Sequence, residues 1–293
     1  MKFKTAVMLR TDLKLFLLFG VLVFALAGCV KDTSSSLDLV SPGTQVPGKE
    51  PKADKSSEIW EKYSKMASVG TSRPFRLEGS LRYTPPKGNG NRLSFYLWSN
   101  GDEPFRLDAT AGFGSTVIGA REAENDFLAY VPEDKKAYAH KGVETPRFVL
   151  PGLGEPLPLS IGNMAKLLEG RFDQLFDREY SLSAIVEAGA YPDLGRNFQG
   201  YSYTLLRGEL PGELILNSVG QPVLWKGGDG WSMYMEYAET SDLKVRKLTI
   251  VHDRGHKAII LVKERDYPGR FNDAQLALLL PSNVEILPIK RME

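Results

Sequence analysis

Alternation of apolar and polar residues with a period of two recurs along most of this 293-residue chain. In residues 75–83, the apolar Phe75, Leu77 and Leu81 alternate with charged or hydroxyl side chains. Successive side chains of a β-strand point to opposite faces of a sheet, so this alternation indicates strands with one buried and one wetter face. Further strands are predicted in residues 93–98, 105–109, 127–131, 136–140, 201–206, 213–217, 222–226, 231–237, 244–252, 257–264 and 284–289.

Two shorter stretches follow a helical spacing instead. The apolar residues of 59–66 recur three or four positions apart, and Ser56 or Ser57 precedes them as a candidate N-cap. Residues 161–168 form a second apolar stripe, for which Ser160 is the candidate cap. We therefore expect a short helix before the first strand and another that interrupts the series of strands.

More than ten strands in one body constrain the architecture, because a sheet of that size has to curl. Curling around interior helices gives a mostly β, α+β fold. We expect an open, unclosed antiparallel β-barrel of about eleven or more strands, with a few helices covering its concave side. A two-sheet sandwich is the alternative, and periodicity alone does not distinguish the two.

The single cysteine of the chain, Cys29, follows Leu26, Ala27 and Gly28 at the end of an apolar stretch. Basic residues precede that stretch, which is shorter than the ~20 residues of a membrane span. A positive segment, a short apolar segment and small residues before a cysteine are typical of a bacterial lipoprotein signal. We expect residues 1–28 to be removed and Cys29 to carry a lipid; an uncleaved membrane anchor is the alternative.

Residues 29–56 are rich in Ser, Pro, Gly and Lys, and they contain few large apolar side chains. Such a composition cannot bury enough surface to offset its ordering entropy, so we expect a flexible tether with a reach of roughly 25–30 Å. The folded body is then residues 57–293. The whole chain has 37 basic and 36 acidic residues, and their distribution gives no clustered basic face of the kind that binds nucleic acid.

The chain has few residues of the types that commonly act in catalysis or bind metals. His252 and His256 flank a predicted turn rather than sharing a helix face, and we expect them to be exposed at a hairpin end; a metal between them is the alternative. Ser115 lies in a glycine-rich stretch but has no evident base. We expect neither an enzyme nor a metal or cofactor, although a pair of carboxylates with glycosidase chemistry is not excluded by sequence.

Several segments, in order, resemble the LolA and LolB family of lipoprotein-localisation proteins. They comprise the helix with Trp60, the strands around residues 75–81, 94–98 and 105–107, the loop at 111–116, the proline-marked helix after Leu157-Pro158-Leu159, and the tail from Phe271 to Val284. The resemblance covers most of the body. The chain departs from the family at Phe113, where LolB proteins carry leucine, and in additional residues at 178–199.

The resemblance implies a lipid-anchored acceptor that takes lipoprotein acyl chains from a periplasmic LolA-like carrier and helps insert them into the outer membrane of a Gram-negative bacterium. It implies that Gly112, Phe113 and Gly114 form a membrane-insertion loop. We assign the acyl cavity to apolar residues of the strands and of the second helix: Phe95, Leu97, Leu107, Leu167 and Leu168. We expect a monomer.

A different class of function is also open. The chain is alternatively an envelope lipoprotein that acts as a structural or assembly partner, with its concavity filled by its own side chains. The two hypotheses differ in whether the folded body holds acyl chains.

Overall fold

The computed structural model describes residues 55–68, 72–112, 114–142, 157–238 and 243–289. Over these residues, fourteen strands form one continuous sheet, which is mostly antiparallel and does not close into a barrel. Three α-helices accompany the sheet. The open, mostly β fold of about eleven or more strands expected from the sequence is therefore confirmed.

The elements follow one another in the chain with these bounds: α1 Lys55–Ala67, β1 Phe75–Thr84, β2 Asn91–Ser99, β3 Phe105–Ala111, β4 Ser115–Ala123, β5 Asp126–Val131, β6 Lys136–Lys141, α2 Ile161–Leu168, β7 Leu182–Val186, β8 Gly200–Leu205, β9 Gly212–Asn217, β10 Pro222–Lys226, β11 Trp231–Tyr237, β12 Val245–His252, β13 Lys257–Asp266, α3 Asp273–Leu276 and β14 Glu285–Pro288. In the sheet, the strands lie in the order β14-β6-β5-β4-β3-β2-β1-β13-β12-β11-β10-β9-β8-β7.

The sheet curls around α2. This helix contacts β3 and β4 on one side and β12 on the other, although three strands separate β3 from β12 in the sheet. Strands that far apart reach one helix only when the sheet is strongly curved. The inner face is the concave side, and β7 and β14 form its two free edges.

Period-two alternation in the sequence corresponds to the two faces of this sheet. In β1, Phe75, Leu77 and Leu81 are buried on the inner side, and Leu97 faces the same way from β2. The inner-face residues and α2 belong to one apolar cluster, which extends over most of the sheet. Burial of this face is the main favourable contribution to folding.

Helix α1 packs on the inner face near the β7 edge through aromatic side chains. The Trp60 ring lies 4.8 Å from that of Tyr203 and 5.0 Å from that of Tyr180, between ring centroids. The prediction that Ser56 or Ser57 caps the helix is wrong, because α1 already begins at Lys55. Ser56 is instead buried within the first turn, where its carbonyl accepts a hydrogen bond from Tyr203.

Two strands were not predicted, and one pairs in an unexpected direction. β4 contains Gly119 and two charged residues, which hide its alternation, and β7 is short and largely exposed. β14 pairs with β6 in parallel, whereas the other pairings are antiparallel. The chain reaches that position because residues 267–284 cross the outer face of the sheet, where Gln275 accepts a hydrogen bond from Trp98.

The additional residues at 178–199 form β7 and a segment that covers the other end of the outer face. Residues 187–199, called the flap here, place Leu194 and Phe198 against a small second core. That core contains Val186, Ile215 and Leu224 from three strands. The flap therefore covers the outer side of β9 and β10 and the Val186 end of β7.

Among the described residues, no helix has both the length and the apolar character needed to cross a membrane.

Gly79 marks a point where the sheet tolerates no side chain. It lies at a register shift between β1 and β13, and a Cβ there would be 2.3 Å from the Leu261 carbonyl oxygen and 2.6 Å from the Phe95 ring. We predict that Gly79→Ala lowers the free energy of unfolding by about 1–3 kcal/mol, because backbone and ring have to shift. Urea denaturation measures this change.

Gly228→Ala is the matched control, since no atom lies within 4 Å of a Cβ at that turn position. Equal stability of the two variants would contradict the prediction.

Candidate functional site

The concave face contains the residues that are predicted to form the acyl cavity. Phe95, Leu97 and Leu107 lie on the inner side of β2 and β3, and Leu167 and Leu168 lie on α2. All five are buried in the main apolar cluster. The structure brings these residues into one region, and their contact with a ligand stays a prediction.

Helix α2 is apolar on nearly its whole surface, because six of its eight residues are buried. Its N-terminus begins as predicted at Ser160, whose hydroxyl accepts a hydrogen bond from the backbone N–H of Asn163. Gly162 allows close packing, since a Cβ there would lie 2.7 Å from Glu122 Oε1 and 3.0 Å from the Phe105 ring. The helix therefore fills the concavity of the sheet.

Glu122 on β4 is a buried carboxylate that holds the first turn of α2. It accepts hydrogen bonds from the Ser160 hydroxyl at 2.9 Å and from the Gly162 backbone N–H at 3.1 Å. Burial raises the pKa of Glu122 above its usual value of 4.5, and these hydrogen bonds offset only part of the effect. The N-terminus of α2 is therefore fixed by a carboxyl group whose pKa is raised.

Two arginines fix the other end of α2, of which Arg171 is buried and Arg265 is partly buried. Arg265 on β13 donates to Glu169 Oε1 at 2.9 Å and to the carbonyl oxygens of Leu168 and Val245, each at 3.0 Å. Arg171, just after the helix, donates to the Gly101 carbonyl and forms an ion pair with Asp102. The polar contacts of α2 are therefore concentrated at its two ends, whereas its middle makes apolar contacts.

Little space remains between α2 and the strands. An apolar void of about 10 Å³ is lined by Leu81, Phe95, Leu107, Ala109, Leu157, Met164 and Ile260. A cavity needs roughly 10–15 Å³ of such space to hold one water molecule, so this void holds one at most. With α2 in this position, the concave face has no room for an acyl chain.

A larger cleft of about 890 Å³ opens beside the N-terminal half of α2, and its lining is polar. Five carboxylates contribute to this lining, against Lys166 as the single amine: Glu103, Glu122, Glu124, Glu209 and Asp229. Partial burial raises the pKa of Glu103. Leu210, Pro211 and Trp225 add apolar surface to this lining, but hydrocarbon there would also cover the carboxylates, which is costly, so the cleft does not replace the apolar concavity as an acyl site.

The predicted insertion loop joins β3 to β4. Gly112 and Gly114 have φ angles of +51° and +93°, and both are exposed, with no atom within 4 Å of a Cβ placed on either. Glycine adopts this backbone region without strain, so the two positions shape an open loop. Phe113 lies outside the described residues, as do Leu26, Ala27, Gly28 and Cys29.

The expectation of two exposed histidines is wrong for His252. Its side chain is 3% exposed and packs edge-on against Trp231 at 4.6 Å between ring centroids. His256 lies beside the Tyr83 hydroxyl. Within the described ranges, no group of three or more His, Cys, Asp or Glu residues has the geometry of a metal site.

Glu122 and Arg265 were not identified from the sequence. Each contacts α2 across a long separation in sequence, 40 residues from Glu122 to Gly162 and 96 from Arg265 to Glu169. Neither residue lay in a predicted strand, because β4 was missed and the strand that contains Arg265 was predicted to end at 264. The region was predicted, but the polar groups that fix the helix were not.

Comparison with known proteins identifies the fold of this chain, but it identifies no family to which the chain belongs. No protein-family model matches the chain, and no curated protein matches it either. A LolA superfamily protein from Nitrosomonas europaea is similar in structure, with a TM-score of 0.51 and 11% identity over 77% of this chain and 99% of that one. A DUF1329 family protein from Desulfovibrio piger has a TM-score of 0.52 and 13% identity, over 77% of this chain and 98% of its own. The fold is LolA-like.

We predict that Glu122→Gln removes a component of the pH dependence of stability. A carboxyl whose pKa is raised on folding stabilises the protein below the usual value of 4.5, and this contribution is lost as the pH rises through the raised value. The variant is therefore expected to lose less stability than the wild type between about pH 4 and pH 8. Urea midpoints across that range measure the difference.

Glu124→Gln, at an exposed position two residues away, is the control and should follow the wild type. A Glu122→Gln curve parallel to that of the wild type would refute the role of the buried carboxylate.

Proposed function

We propose that the protein binds the acyl chains of lipoproteins on the concave face of its open sheet, after α2 moves away, and helps insert them into the outer membrane. The observation that carries the proposal is a continuous apolar concave face on which the short helix α2 is held by polar contacts at its two ends. The LolA-like fold supports the same conclusion.

The need for such a face follows from the energetics of the cargo. Burying one methylene group is favourable by roughly 0.8 kcal/mol, so transfer of a sixteen-carbon chain from water to an apolar site is favourable by ~12 kcal/mol. Transfer through an aqueous compartment therefore requires a dry surface on a protein. Binding and release suffice for this task, and no covalent step is required.

An acyl chain is a chemically equivalent substitute for the buried side of α2. Ile161, Met164, Leu167 and Leu168 present aliphatic and thioether groups to the inner face. Hydrocarbon in their place restores the apolar contacts of the strands, whereas the polar contacts at the helix ends are lost. Exchange is thus governed by the few hydrogen bonds of Glu122, Arg171 and Arg265.

The expected anchor and loop complete the proposal. A lipid on Cys29 holds the body at the outer membrane, on its periplasmic side, and Phe113 between two exposed glycines touches the bilayer during insertion. The donor is a soluble LolA-like carrier. These assignments extend the resemblance in sequence, because the residues concerned lie outside the described ranges.

The alternative is an envelope lipoprotein with a structural or assembly role and no lipid transfer. The small void under α2 favours it, since a protein that never binds lipid is expected to fill its concavity with its own side chains. The two functions differ in whether α2 leaves the sheet.

We predict that the purified protein binds a fluorescent fatty acid and that Arg265→Ala increases this binding. Loss of Arg265 leaves Glu169 buried without its partner and removes two donors to carbonyls, so stability falls by about 3–5 kcal/mol and α2 is released more often. Binding is measured by titration per folded protein, with near-ultraviolet circular dichroism as the measure of folding. Mass spectrometry of the wild type identifies acyl ligands retained from cells.

Arg246→Ala, at an exposed position of the neighbouring strand β12, is the matched control and should bind as the wild type does. Absence of bound acyl chains in the wild type, together with no gain in Arg265→Ala, would establish the structural role instead.

The loop generates a separate prediction. Phe113→Glu should leave the fold intact and impair delivery of lipoproteins to the outer membrane, because a carboxylate is costly at the apolar boundary of a bilayer. Delivery is measured by membrane fractionation in cells depleted of the wild-type protein. Depletion itself should mislocalise lipoproteins.

Thr116→Glu is the control, since Thr116 is an exposed residue at the start of β4. Normal delivery by a stably expressed Phe113→Glu protein would remove the loop from the proposal, and normal sorting on depletion would remove the acceptor role.

A further inference from the structure

The two edges of the sheet differ in how they are protected against pairing with another strand. An exposed edge usually carries charged residues or proline, which discourage strand addition. β14 has both, in Glu285 and Pro288. β7 has neither, because its sequence Leu-Ser-Ala-Ile-Val contains no charge and no proline.

β7 also exposes apolar side chains that the rest of the structure leaves uncovered. Leu182 is 66% exposed and Ile185 is 74% exposed, and Ala184 between them is exposed as well. Among the described residues, β7 pairs with β8 alone, so its other edge presents large exposed aliphatic side chains on a surface suited to another strand.

The faces of β7 follow from its neighbours. Val186 belongs to the outer core beneath the flap, so Leu182 and Ala184 also face outward. Ser183 faces inward, where its hydroxyl lies 3.0 Å from that of Ser56 on α1. The outward row of β7 is therefore entirely apolar.

We propose that β7 pairs antiparallel with β7 of a second copy of this chain, about a two-fold axis perpendicular to the sheet at Ala184. All five residues of the strand then overlap. On the outer face, Ala184 lies opposite its own copy, and each Leu182 lies opposite the flap-covered Val186 of the other chain. Aliphatic pairs of this kind stabilise antiparallel sheets. On the inner face, the exposed Ile185 lies opposite Ser183 of the other chain.

The register is fixed by symmetry and charge. A two-fold axis perpendicular to the sheet keeps each face on its own side, so only even shifts of register bring outward residues opposite outward residues. Centring the pairing on Ser183 places Glu179 opposite Glu187, which is unfavourable. Centring it on Ile185 places Leu182 opposite Ala188 and reduces the overlap. The register centred on Ala184 avoids both losses.

The position of α1 agrees with this pairing in a lipid-anchored protein. The described chain begins at Lys55, and the adjacent Ser56 contacts Ser183 on β7. The two-fold axis places both copies of α1 on the same side of the joined sheet and close to the axis. With the tether of residues 29–56 that is expected from the sequence, whose reach is roughly 25–30 Å, the two lipid anchors can then lie in one membrane.

This self-association does not depend on acyl binding, and it differs from the monomer expected from the sequence. The concave face of each copy lies on the inner side, whereas the apolar pairs that favour the dimer lie on the outer side.

The test is cross-linking between single cysteines in the full chain carrying Cys29→Ser, which has no other thiol. Residues directly opposite in an antiparallel pair have Cβ atoms about 4.5–5.5 Å apart, close to the separation in a disulfide. The two Leu182 positions are four residues apart along the strands, or roughly 14 Å. With diamide as the oxidant, Ala184→Cys is expected to dimerise about tenfold faster or more than Leu182→Cys.

A second measurement uses the chain with its native Ala184. Sedimentation velocity should show a dimer that Ala184→Lys dissociates, because two ammonium groups would face each other at the axis. Ile286→Lys, an exposed aliphatic residue on the protected edge β14, should leave the dimer unchanged. Equal cross-linking rates at positions 182 and 184, or a wild-type monomer in sedimentation, would overturn the proposal without affecting acyl binding.

Discussion

Burial of α2 against the concave face holds the sheet in its curved form. Without a body inside it, a sheet of fourteen strands exposes a large apolar surface to water, and neither edge can close it. The helix meets this requirement with few residues because it is apolar on nearly all sides. Its low polarity also means that its position depends on contacts at its ends, from Glu122 at the start and Arg265 at the finish.

This arrangement relates stability to function. The apolar contacts between α2 and the concave face stabilise the fold. In the proposed function, the same face exchanges these contacts for contacts with an acyl chain. A helix fixed by many polar contacts along its length would resist exchange, and one without polar ends would have no defined position. The buried Glu122 and the partly buried Arg265 provide a definite closed state at the cost of removing charges from water.

Much of the architecture was predictable because it arises from local patterns. The alternation in residues 75–83 required a sheet with one buried face, and Ser160 marked the start of α2. β4 was missed since Gly119 and Glu122 interrupt its alternation, and β7 since its exposed residues show no buried face. The roles of Glu122 and Arg265 depend on partners distant in sequence, so no local pattern contains them. His252 was misjudged for the same reason, because Trp231 covers it from a neighbouring strand.

Coverage of the outer face has a mechanical consequence. Residues 267–284 cross the outer side of β2 to β4, and β14 then joins β6, so this half of the sheet is reinforced from outside. The flap reinforces β7, β9 and β10 in the same way. Beyond the flap, a groove of about 530 Å³ reaches Thr249 and Val251 on β12 and Lys257 on β13. The described segments that cover the outer face thus lie over the two halves of the sheet, and we expect a change in curvature to concentrate between them, behind the helix that the sheet encloses.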